Sequence, residues 1–127
     1  MVLHNNFSDF VLFLFVHMSH VDNDYHPTEM KVIEEKMVRL FPKGTDLEKK
    51  LYNAIREYNG FDKSQIEPMI RNSFLHFGEV KSTQKYKVYS DIYDIINADG
   101  KIEASETAAM DVLGQIMEIG KETQKAL

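Results

Sequence analysis

The sequence predicts an all-α fold, a single compact bundle of about six helices in which two helical hairpins are related to each other. Three observations lead there. Apolar residues recur every three or four positions along almost the whole 127-residue chain, the spacing of helices that each bury one face. Strand-like alternation is scarce. Helix-starting and helix-stopping signals fall roughly 15 to 20 residues apart, which suits helices of ordinary length joined by short loops.

The first helix is expected from Asn6 to His20, where the run "FVLFLFV" (Phe10 to Val16) is apolar on nearly every side. A helix of that kind is central or lies in an interface. The second starts at Pro27, a residue favoured at the first helical position, and stops before Pro42. The third begins after Thr45, which with Glu48 reads as a capping box, and ends at Asn59 and Gly60. The fourth follows Ser64, paired in the same way with Glu67, and ends near Gly78, with Pro68 in its first turn where the cost is small. The fifth runs from about Thr83 to Ala98 and the sixth from Ala104 to near the C-terminus. The two hairpins then cover about residues 6–41 and 83–120 of one domain spanning 1–127.

Composition narrows the function classes. The absence of cysteine removes disulfides, thiolate metal sites and cysteine nucleophiles together and fits a reducing compartment. The run from Phe10 to Val16 is too short to span a bilayer, and no Lys or Arg precedes Lys31 to form the basic part of a signal peptide. A cytoplasmic protein with no membrane insertion is expected. The net charge of −5 is uneven: residues 1–30 hold Asp9, Asp22, Asp24 and Glu29 and no Lys or Arg, and residues 88–118 hold seven acids against Lys101. Phosphate binding needs clustered Lys and Arg, so no nucleic-acid partner is expected; cations or basic protein surfaces suit these segments better.

The acidic segments contain a repeat. "SHVDNDYHPTE" (Ser19 to Glu29) and, 77 positions later, "INADGKIEASE" (Ile96 to Glu106) each have an Asp, a large apolar residue three places on, a hydroxyl residue at six and a Glu at seven. Each copy straddles a helix, a tight loop and the next helix. At about 100° per residue, Asp99 continues the stripe Val88, Ile92 and Ile95, and Glu106 heads the stripe Met110, Leu113 and Met117. In the first copy Asp22 follows Val11, Phe15 and Met18, and Glu29 precedes Ile33 and Leu40. Four acids therefore stand where apolar residues are expected.

Two explanations fit. In one, the acids are structural: a first-turn Glu reaches back to open backbone donors and meets the positive end of the helix dipole, and a loop Asp forms an Asx-turn. Tyr25 and Ile102 then plug the hairpins, and Gly100 supplies the left-handed residue after the fifth helix, with Asn23 as the next best choice at the matching place. In the other, the acids hold a divalent cation such as calcium or magnesium, which requires several oxygen ligands; Asp24 in the first copy and Glu103 in the second are further donors. An EF-hand is excluded on spacing, because its Gly and Glu positions fall on Pro27 and Ile33 in one copy and on Ala104 and Met110 in the other.

The segment "NADGKIEASE" resembles the signature of the tellurite-resistance TerB-like domains, an Ala-Asp-Gly loop with a Glu seven residues after the Asp, and "HVDNDYHPTE" sits where that family carries its first copy. The resemblance covers about residues 10–120, and the first motif departs from it with Val21 for Ala and Asn23 for Gly. It implies a compact all-α domain of two related halves in a cytoplasmic, non-catalytic protein of bacterial stress or tellurite-resistance systems. It also implies acidic residues proposed to bind metal ions, by position Asp22, Glu29, Asp99 and Glu106. The N-terminal domain of DjlA-type co-chaperones is similar to the same fold, but no J-domain "HPD" tripeptide occurs in these residues.

Other candidate chemistry is sparser. His17 and His20, three apart on one helix, with His26 nearby, have a spacing that suits zinc or nickel, although solvated surface histidines are the commoner case. Tyr86, Tyr89 and Tyr93 form a helical stripe for which packing is the default and a partner surface the alternative. No Ser or Thr is paired with His and Asp in a nucleophilic arrangement and no phosphate-cradling Gly-rich loop occurs, so no enzyme is expected. Two classes of function remain: a small metal-responsive stress protein, and an interaction module whose acids are helix caps and which meets a protein partner, or another copy of itself, through an apolar helix face such as that of the first helix.

Overall fold

The computed structural model of the chain describes residues 6–21, 27–77, 82–98, 100 and 102–117. All of the regular structure among them is helical: α1 (Phe7–His20), α2 (Pro27–Leu40), α3 (Leu47–Asn59), α4 (Lys63–His76), α5 (Ser82–Ile96) and α6 (Ala104–Ile116). None of these helices is long and apolar enough to cross a membrane.

Three helix starts are capped by a side chain from just outside the helix. The Asn6 side chain accepts from the Asp9 N–H at 2.9 Å, Asp46 from Lys49 at 3.1 Å and Asp62 from Ser64 at 3.1 Å, each satisfying a backbone donor that the first turn leaves open. Two expected caps are thereby corrected. Thr45 does not cap α3, because its hydroxyl donates to the Pro42 carbonyl at 2.6 Å and leaves the position to Asp46. Ser64 does not cap α4 either; it lies inside the helix, and its expected partner Glu67 instead pairs with Arg71 at 3.1 Å. Pro68 consequently falls beyond the first turn, where it withholds the N–H that would bond to the Ser64 carbonyl.

α1 forms the centre. Phe10 through Val16 are all buried, as is Met18, because helices lie against every side of it. Helices α2, α3, α5 and α6 pack on α1, and α4 reaches it through the rings of Phe7, Phe10, Phe74 and Phe77. Full burial of one such side chain contributes about 1.5–3 kcal/mol, so this run supplies much of the core. The apolar face of α1 is thus spent inside the bundle and is not the surface that a partner would meet.

The contacts also relate the two hairpins. α1 packs on α2 and α5 on α6, the two first helices pack on each other, and each first helix touches the second helix of the opposite hairpin. Exchanging the hairpins maps this pattern onto itself. The stripes read from the sequence, Val88, Ile92 and Ile95 on α5 and Met110 and Leu113 on α6 with Met117 at its C-cap, are buried as expected. On α5 Tyr89 is also buried and donates its hydroxyl to the Met110 carbonyl at 3.4 Å, so this member of the tyrosine stripe is a packing residue. Gly100 has φ +80° and Ile102 packs against the core, the roles expected of both.

Candidate functional site

The repeat places a glutamate third in each of two helices, Glu29 in α2 and Glu106 in α6. Both are 1% exposed. Pro27 and Ala104 open their helices, so each glutamate lies in the first turn and heads the buried stripe that continues as Ile33 or as Met110 and Leu113. An ionised carboxylate removed from water needs donors or opposite charge around it. The helix N-terminus supplies part of both, through its open N–H groups and the positive end of its dipole. At α6 that supply is visible: Glu103 is the N-cap, its backbone N–H donates to Glu106 Oε1 at 2.9 Å, and the two residues form a capping box.

Of the six carboxylates expected as ligands, Glu103 and Glu106 come together at the start of α6, and Glu29 lies in the first turn of α2 in the other hairpin. Glu103 is exposed. Asp22, Asp24 and Asp99 lie outside the described residues, as do Asn23, Tyr25 and His26. Among the described residues no group of three or more His, Cys, Asp or Glu side chains is placed to hold a metal ion. The donor chemistry of the six residues is nonetheless of one kind, carboxylate oxygen, which suits calcium or magnesium rather than a softer metal.

The histidines occupy a different setting from the solvated surface expected for them. His17 and His20 are half-buried, and both rings lie against Tyr58 of α3, at centroid distances of 5.7 and 5.4 Å. His17 Nδ1 hydrogen-bonds the Tyr58 hydroxyl at 3.0 Å. His20 Nδ1 lies 2.8 Å from both the Val16 carbonyl oxygen and the Ser19 hydroxyl. Burial pushes the Tyr58 phenol up and the His17 imidazole down to about 4, the latter against an opposing pull from Glu67. His17 therefore meets α3 as a neutral ring. His17 also lines a cleft of about 230 Å³ between the end of α1, the start of α4 and α6.

Sequence reasoning missed one buried charge cluster. Lys36 of α2 is 8% exposed and donates to Asp91 at 2.9 Å and Asp94 at 3.0 Å on α5, while Lys87 reaches the same Asp91 oxygen at 2.9 Å. Burial alone would lower the Lys36 pKa, but the hydrogen bonds that its ammonium donates to Asp91 and Asp94 outweigh it and raise it above the ordinary 10.5. The signal in the sequence was a Lys three residues after Ile33 and directly before Met37, inside the apolar stripe of α2.

The 77-residue offset makes this cluster informative. It matches Lys36 with Leu113 and Asp91 with Leu14, and both leucines are buried. The contact of α2 with α5 thus carries an ion pair where the equivalent positions on α6 and α1 are buried leucines. Replacing Lys36 by Leu alone should cost about 1–2 kcal/mol, less than a fully buried broken pair because Asp91 keeps Lys87. Replacing Lys36 and Asp91 together by Leu should recover most of that loss. Urea unfolding at pH 7 checks both, and a double variant weaker than the single one would contradict the equivalence. The contribution of Lys36 is complete below about pH 10.5 and is lost as pH rises through its elevated folded value.

No family model, curated protein or solved structure matches the chain.

Proposed function

We propose that the chain is a non-catalytic, cytoplasmic helical module of the TerB-like kind, whose acidic hairpins hold a divalent cation, calcium or magnesium, in a metal-ion or tellurite stress response. The observation that carries this reading is the matched burial of Glu29 and Glu106, one carboxylate in each hairpin, third in its helix, at 1% exposure. Helix capping alone does not call for so deep a carboxylate, since caps work well at the surface. A cation would supply countercharge at the same ends of both hairpins. Asp22 and Asp24 in the first, and Asp99 and Glu103 in the second, are the further oxygen donors by sequence. Tellurium oxyanions themselves are negative and would be repelled by these segments, so the proposed role towards them is indirect.

A second reading has its own support. The bond from the Glu103 N–H to Glu106 Oε1 is what a purely structural cap makes, and the chain would then be an interaction module. Among the described residues, Val38, Tyr52, Leu75 and Tyr86 are exposed large apolar side chains, spread over α2, α3, α4 and α5.

Thermal melting of wild type and Glu106→Gln, with EDTA and with millimolar calcium or magnesium, separates the readings. With a bound cation, wild type melts higher in calcium or magnesium than in EDTA, and the increment shrinks in Glu106→Gln because one ligand charge is gone. As a cap only, Glu106→Gln keeps an acceptor and costs less than about 1 kcal/mol, and neither protein responds to the ions.

A further inference from the structure

We draw no further inference here: the strongest candidate, the cleft between the end of α1, the start of α4 and α6, is lined by apolar side chains together with His17, Lys63 and Glu67, but nothing in the structure shows what covers it.

Discussion

Phe10→Ala should destabilise the fold by about 3–5 kcal/mol, the range for deleting a buried aromatic side chain. Phe10 is 1% exposed, and its ring meets Phe74 edge-on at 5.0 Å and stacks on Phe77 at 5.7 Å. Those rings are how α4 is fastened to the central helix, together with Phe7 against Phe77 at 5.6 Å. The loss should therefore be uneven: amide protons of α4 should lose exchange protection before those of α5, which buries the whole stripe Val88, Ile92 and Ile95. Since a domain of this size is stable by about 5–15 kcal/mol, the variant keeps little margin. Leu75→Ala, at a position 78% exposed, is the control and should change stability by less than about 0.5 kcal/mol. A cost below about 1 kcal/mol for Phe10→Ala, or an even loss of protection, would contradict this arrangement of α4.

Acidification should weaken the protein through His17. Burial holds its imidazole at about 4, whereas the unfolded chain titrates near the ordinary 6.5. Between those values the unfolded state binds a proton that the fold refuses, so stability rises with pH. The contribution is complete above about 6.5, falls through the window and is gone below about 4. Over the whole window it amounts to roughly 3 kcal/mol, with about 2 kcal/mol lost between pH 7 and pH 5. Carboxylates that titrate in the same range act in wild type and variant alike. The test is therefore the difference between wild type and His17→Gln, which keeps a hydrogen-bonding side chain beside Tyr58 without titrating. Unfolding free energies at pH 7 and pH 5 should diverge by about 2 kcal/mol between the two proteins. Parallel pH profiles, or a His17 ring that titrates by NMR near its ordinary value, would show that the ring is not buried as described.

What could be read in the sequence was local or periodic. Pro27 marked the start of α2 and Gly100 the left-handed turn, because each residue has one dominant backbone preference. The stripes on α5 and α6 were legible because burial follows the 3.6-residue period, and the same period placed Glu29 and Glu106 on the core side. Caps were harder. Thr45 and Asp46 are adjacent and both suit an N-cap, and the Thr45 bond to the Pro42 carbonyl decided between them. Asp62 and Ser64 competed in the same way. The histidines were misread because helical spacing gives a face but not its neighbour, which is Tyr58, 41 residues from His17. Lys36 was missed for a similar reason: Asp91 lies 55 residues away, and only the packing of α2 on α5 brings them together.

Titration of calcium and of magnesium into the intact chain by isothermal calorimetry addresses the proposed site most directly. Saturable binding is expected with a dissociation constant at or below about 1 mM, the weak end of protein calcium sites. The second hairpin should dominate, because Gly100 takes its φ of +80° without strain, while the matching residue of the first hairpin is Asn23. Asp99→Asn should therefore weaken affinity more than Asp22→Asn. Absence of binding by either ion to protein shown to be folded would contradict the cation reading and leave Glu29 and Glu106 as structural caps.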